Sequence, residues 1–155
     1  MKLILLRHAK SGWDEAETDD HQRTLTGRGR EDAARIGAWL RARGHLPTRT
    51  LCSDAHRTAQ TFEGLGLDGG EVTLRPDLYL APAETILTVA RHTLTDVLMI
   101  VAHNPGIGRA AQLAAGDAPK HAKFAKFPTG ACLVVDIAGG LPGPVLDFAV
   151  PSDLE

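Results

Sequence analysis

The segment Val97-Leu98-Met99-Ile100-Val101-Ala102 runs without a polar side chain and stops at His103-Asn104-Pro105. A strand with one wet face alternates apolar and polar residues. One that is apolar at every position needs cover on both faces, which places it inside a mainly parallel sheet with helices above and below. The pattern around this strand agrees. Leu3–Leu6 is a second short apolar run, Thr50–Ser53 a third, and Val72–Leu74 a weaker fourth. Helical spacings separate them.

The predicted helices have recognisable ends. One spans about Gly27–Arg43, with Ala33, Ile36 and Leu40 on one face, Thr26 as N-cap and Gly44 as the stop. Asp54 is expected to cap a helix over Ala55–Leu65, and Pro82 to open a short one reaching His92. Asn104 is expected to cap a helix whose first residue is Pro105, with Ile107, Ala110, Ala111 and Ala114 in register. The polar, acidic stretch 17–22 reads as a loop. Leu133–Ile137 and Val145–Val150, joined across the turn-rich Gly139–Pro144, read as a final antiparallel pair. The predicted fold is therefore α/β: a three-layer α/β/α sandwich with a mainly parallel central sheet and an antiparallel edge.

Size and charge narrow the class. The 155 residues suit a single domain, and a formal net charge of −2 with 43% apolar residues gives no basic bias toward nucleic acid. Four apolar residues before Arg7 are too few for a signal peptide or a membrane span, so a cytoplasmic protein is expected. Cys52 and Cys132 lie in apolar stretches and read as buried, reduced thiols, and no spacing of His and Cys suggests a metal.

The chemistry gathers at strand ends. Leu6-Arg7-His8-Ala9 closes the first strand, Arg57 falls in the first turn after the second, and His103 closes the central one. In an open parallel sheet the carboxyl ends of the strands share one rim, where ligands bind. Guanidinium groups grip phosphate oxygens in a fixed fork, and a neutral imidazole can attack phosphorus. Helix N-termini after Asp54 and Asn104 would add partial positive charge at the same rim. Two arginines and two histidines from three strand ends are thus candidates for one phosphate pocket.

These residues, with Arg23-Thr24-Leu25-Thr26 before Gly29, the segment Ser53-Asp54-Ala55-His56-Arg57-Thr58-Ala59-Gln60-Thr61 and His103-Asn104-Pro105, resemble the histidine phosphatase superfamily over about residues 3 to 130. The likeness is greatest to its small single-domain bacterial phosphohistidine phosphatases. It implies His8 as the nucleophile that becomes phosphorylated, Arg7, Arg57 and His103 as the phosphate pocket, an α/β/α sandwich, and a reaction without metal or cofactor. For the attack, one ring nitrogen of His8 must be unprotonated and the other must donate to a fixed acceptor such as a backbone carbonyl. Protonated His103 is expected to donate to the same phosphate oxygens. Ser11 and Lys126 are kept as further candidate substrate contacts, Lys126 as a reader of an acidic partner.

Larger members carry a carboxylic acid in the stretch that here reads Arg75-Pro76-Asp77-Leu78-Tyr79-Leu80, and no residue fills that place securely. Asp14, Asp77 and Glu84 are the candidates. A site without a dedicated acid favours P–N bonds, because a protonated phosphohistidine departs as neutral imidazole. The short chain also offers no long insertion to close a lid over a small metabolite. The expected activity is removal of phosphate from phosphohistidine in a protein, by a monomer that binds neither membrane nor nucleic acid. Alternatives are a general phosphomonoesterase acting on small phosphate esters, or a phosphoprotein-binding module that does not turn over.

Other signals are weaker. Gly64-Leu65-Gly66-Leu67-Asp68-Gly69 matches a dinucleotide pattern but follows a helix instead of opening one. Phe124 and Phe127 among lysines read as core anchors, Trp13 and Trp39 as packing residues, and His21, His45, His56, His92 and His121 as surface residues.

Overall fold

The computed structural model describes residues 1–13 and 19–155. The six strands are β1 (Lys2–Arg7), β2 (Arg49–Ser53), β3 (Glu71–Arg75), β4 (Val97–Ala102), β5 (Cys132–Asp136) and β6 (Val145–Ala149). The helices are α1 (Gly27–Ala42), α2 (His56–Leu65), α3 (Ala83–Arg91) and α4 (Gly106–Ala114). The strands form one sheet in the order β3-β2-β4-β1-β5-β6. Its first four members are parallel, as expected. The reversed strand is β5, which pairs antiparallel with both β1 and β6 and so lies one place in from the edge.

Strand alternation divides the interior in two. Leu3, Leu5, Leu98 and Ile100 point to the face covered by Ile86 and Ala90 of α3 and Ile107 and Ala111 of α4. Ile4, Leu6, Met99 and Val101 point to the other face, against Ile36 and Leu40 of α1 and Leu65 of α2. This is why β4 has no polar position: both its faces are core. The order of the strands accounts for which helix goes where. The chain moves outward from β1 to β2 to β3 and then turns back through β4 toward β5. Crossovers in opposite directions between parallel strands put α1 and α2 on one face and α3 on the other, and α4, which leads into the reversed strand β5, packs beside α3.

Register then sets the rim. Arg7 lies opposite Ala102 in the β1–β4 pair, so the next residues, His8 and His103, leave the sheet side by side. On the other flank Cys52 lies opposite Val101, which brings Ser53 beside the same exit. The loop after His8 is pinned to the start of α1: the Thr26 amide donates to the Lys10 carbonyl (3.0 Å) and the Gly12 amide to the Thr24 carbonyl (3.2 Å). Gly29 permits this contact, since a methyl group there would lie 2.1 Å from the Lys10 oxygen.

Some local expectations are corrected. Ala55, not Asp54, is the N-cap of α2, and no side chain caps it. Asp54 is instead bonded to His21 Nε2 at 2.9 Å. The described part of the 17–22 stretch contains a 3-10 turn, Asp20–Gln22, capped by the Asp19 side chain. Helix α3 begins at Ala83 with Pro82 as its N-cap, and α4 begins at Gly106. Asn104 still serves α4, because its Oδ1 accepts the Gly108 amide at 3.0 Å. Cys52 and Cys132 are free and buried, and Trp39, Phe124 and Phe127 are core.

Candidate active site

Arg7, His8, Arg57 and His103 converge at the rim between β1, β2 and β4. The imidazole rings of His8 and His103 are 5.4 Å apart, centroid to centroid. His8 is 7% exposed, His103 2% and Arg57 3%. The groups are close enough that the charges of Arg57 and Arg7 act on both histidines.

His8 is held in a definite tautomer. Its Nδ1 lies 2.7 Å from the Ala9 carbonyl, and since a carbonyl only accepts, Nδ1 carries the hydrogen. Nε2 is left with its lone pair. Burial, opposed by the hydrogen bond to Ala9 and reinforced by Arg57, Arg7 and Arg23, lowers the His8 pKa to about 4. At neutral pH the ring is uncharged.

His103 differs from expectation. Burial first, then His8 and Arg57, lower its pKa to about 3, so in the free site it is neutral and not an imidazolium. Its Nε2 is 2.7 Å from Ser53 Oγ, and that oxygen already accepts the Ala55 amide at 3.4 Å. Ser53 has one hydroxyl hydrogen to give, and where it donates this to Nε2 the ring hydrogen sits on Nδ1. That atom is buried and has no partner among the described residues. In that tautomer His103 can offer a hydrogen bond from Nδ1 while its ring stays neutral.

The arginines are positioned by backbone. Arg7 Nη1 donates to the Phe127 carbonyl at 3.2 Å, and Asn104 Nδ2 donates to the same oxygen at 3.0 Å. Phe127 is buried with φ +46°, a left-handed conformation that costs a residue with a side chain and here aims its carbonyl at Arg7.

Arg57 is engaged by a residue the sequence reading missed. Its Nη1 donates to the Asp20 carbonyl (2.7 Å) and its Nη2 to Asp20 Oδ2 (3.0 Å). Tyr79 donates its hydroxyl to the same Oδ2 at 2.5 Å, and Arg23 Nη1 donates to Oδ1 at 3.1 Å. Burial alone would raise the Asp20 pKa, but the bonds from Tyr79, Arg23 and Arg57 outweigh it and hold the carboxyl at about 2. The one sequence signal for this arrangement was the short spacing of Asp20 from Arg23, which falls within the resemblance.

The other candidates fare unequally. Ser11 Oγ accepts from Arg23 Nη2 at 2.9 Å, so it touches the site through Arg23. Lys126 is exposed, and its main-chain carbonyl receives the Asn104 amide at 3.3 Å. Asp77 forms a two-point ion pair with Arg75, and both Asp77 and Glu84 line a separate cleft of about 520 Å³ with Arg49 and His92. The lining of that cleft includes none of Arg7, His8, Arg57 and His103. Asp14 lies outside the described residues. Trp13 is not a packing residue: it is 65% exposed, with the Arg23 guanidinium 4.3 Å from its ring centre. His45 is buried, between Lys2 and Asp147, contrary to the surface placement expected. Among the described residues no group of three or more His, Cys, Asp or Glu is placed to hold a metal ion.

Comparison with known proteins bears on the family and the fold. The model of the histidine phosphatase superfamily (branch 1) matches residues 3–79. An uncharacterized protein of Mycobacterium leprae is 32% identical over 144 residues, covering 86% of this chain and 88% of the relative. An uncharacterized chloroplastic protein of Arabidopsis thaliana is 33% identical over 129 residues, and the match spans 59% of that relative's length. Among solved structures, a protein of Agrobacterium tumefaciens assigned as the phosphohistidine phosphatase SixA superposes with a TM-score of 0.84 at 29% identity, covering 97% of each chain. The protein histidine phosphatase SixA complexed with tungstate gives a TM-score of 0.77 over the full length of both chains. At 23% identity that likeness speaks for the fold alone.

Proposed function

The chain belongs to the histidine phosphatase superfamily, and we propose that within it the protein is a phosphatase that passes through a covalent phosphohistidine on His8 and acts on phosphohistidine in other proteins. The observation that carries this reading is the state of His8: a neutral ring, tied through Nδ1 to Ala9, with Nε2 free beside Arg7, Arg57 and His103. An imidazole that merely bound phosphate would serve better as a protonated donor. This one is prepared to attack.

In this mechanism Arg7 and Arg57 hold the equatorial oxygens while His8 Nε2 attacks in line with the departing nitrogen. His103 donates from Nδ1. Water then cleaves the phosphoenzyme and phosphate leaves. The reaction uses no metal. Support for a protein substrate comes from the rim, where Trp13 and Leu80 are 65% and 54% exposed. Leu80 directly follows Tyr79, and Trp13 stacks on Arg23, so apolar contact is available on both sides of Asp20. The resemblance to proteins described as SixA points the same way, and a cytoplasmic location suits two free, buried thiols.

The test is to incubate the wild type and His8→Ala with a phosphohistidine protein and with p-nitrophenyl phosphate, and to look for an acid-labile phosphoenzyme. The wild type is expected to form one and, with sugar phosphates assayed beside these substrates, to turn over the phosphoprotein faster than the sugar phosphates; faster sugar-phosphate hydrolysis would overturn the substrate assignment. Turnover that persists in His8→Ala would overturn the mechanism.

A further inference from the structure

Asp20 stands on the path of the leaving group. Its side chain is 35% exposed while that of Arg57, to which it is bonded, is 3% exposed. His8 and His103 are as buried as Arg57, so the nucleophile lies at the floor of the site and Asp20 at its mouth. In-line displacement expels the leaving group on the side opposite the nucleophile. From a buried floor that side faces outward, toward the carboxylate. The group is also fixed rather than free to swing away, since the Arg57 and Arg23 guanidinium groups and the Tyr79 hydroxyl all bond to its two oxygens.

We propose that Asp20 is a specificity-determining residue, a fixed negative charge that selects phosphoryl donors whose leaving group carries a positive charge while still bonded to phosphorus, above all a ring-protonated phosphoimidazole that departs as neutral imidazole, over phosphate esters. The inference rests on the phosphatase reading and adds to it a residue and a reason for the substrate class. A carboxyl held ionised by three donors has no proton to give an alkoxide. It does attract the N–H of an imidazolium. Either phosphoryl group must share Arg57 with this carboxylate; an ester receives nothing from it in return, whereas a phosphorylated imidazolium gains a partner for its ring hydrogen.

The step balances without an external acid. His8 Nε2 forms its bond to phosphorus as the P–N bond of the substrate breaks, and the bonding pair stays on the departing nitrogen. The proton already on the substrate's other ring nitrogen remains there, against Asp20, and the product is neutral imidazole. The positive charge passes to the His8 ring, whose Nδ1 hydrogen lies on the Ala9 carbonyl. Water then attacks phosphorus, the P–N pair returns to Nε2, and dihydrogen phosphate departs.

The experiment compares kcat/KM for phosphoimidazole and p-nitrophenyl phosphate in the full chain, in the wild type, Asp20→Asn and Asp20→Glu. Asp20→Asn is expected to lower phosphoimidazole turnover by about tenfold or more, the loss of one charged hydrogen bond. It should raise p-nitrophenyl phosphate turnover, because Arg57 loses its competitor. Asp20→Glu keeps the charge and should keep the preference for phosphoimidazole. Equal losses on both substrates in folded Asp20→Asn, or no change on either, overturn the proposal. So does a folded Asp20→Glu that has lost the preference, even where the asparagine variant fails to fold. Absence of a phosphoenzyme in the wild type would instead remove the phosphatase reading itself.

Discussion

The Ala9 peptide holds His8 from one side and is itself held from the other. Its carbonyl receives His8 Nδ1 at 2.7 Å, and its amide donates to Thr61 Oγ1 at 2.9 Å. Thr61 in turn donates to the Arg57 carbonyl at 2.7 Å, so one hydroxyl in the interior of α2 ties the support of His8 to the helix that carries Arg57.

Thr61→Val keeps the shape of that side chain and leaves the buried Ala9 amide without an acceptor. It should cost about 1–3 kcal/mol of stability, the penalty for an unsatisfied buried donor. Because Ala9 then loses its anchor, phosphoenzyme formation should slow more than phosphate binding weakens. Chemical denaturation and rapid-quench labelling of the two proteins check this; unchanged labelling would show that Ala9 needs no such support.

Stability should fall as pH drops below neutrality. His8 and His103 have pKa values lowered to about 4 and about 3, chiefly by burial, from an ordinary value near 6.5. Between about 6.5 and 4 the unfolded chain therefore binds more protons than the folded one, and unfolding free energy declines with falling pH. Denaturation midpoints from pH 8 to 4.5 should show this decline in the wild type and a shallower one in His8→Ala. An identical slope in both proteins would contradict it. Activity that depends on neutral His8 should persist down to about pH 5.

Asn104 connects α4 to Arg7. Its Oδ1 caps the Gly108 amide and its Nδ2 holds the Phe127 carbonyl that also receives Arg7. Asn104→Ala should destabilise by about 1 kcal/mol through the lost cap. With Phe127 held less firmly, KM for p-nitrophenyl phosphate should rise by about tenfold, since small displacements of a binding group are costly. Steady-state kinetics decide it: a change confined to stability would mean that Phe127 holds its place unaided.

The packing of α1 on α2 is close at Gly37, where a methyl group would lie 1.9 Å from the Leu65 carbonyl oxygen. Gly37→Ala should cost about 1–3 kcal/mol as the helices separate. Gly27→Ala, with nothing within 4 Å, should be neutral or stabilising by about 0.5–1 kcal/mol. Thermal unfolding of the pair distinguishes a packing constraint from a general intolerance of substitution.

What the sequence determined by itself was the set of elements and the ends at which chemistry would sit. The apolar run of β4 called for cover on both faces, and the two core clusters supply it. Arg7, His8 and His103 were placed correctly at strand ends, and Arg57 in a first helical turn, because periodicity, caps and breakers are local signals. Tertiary structure alone decided the rest. The adjacency of His8 and His103 comes from a register in which Arg7 faces Ala102, and no single strand encodes its register. Asp20 reaches Arg57 across 37 residues and Tyr79 across 59, through contacts that exist only once the turn after β1, α2 and the segment after β3 are packed together. For the same reason Asp54 left its predicted cap for His21, and Trp13 stayed in solvent over Arg23. Backbone preferences act over a few neighbouring residues, whereas the partner of a charge is chosen by which surfaces meet.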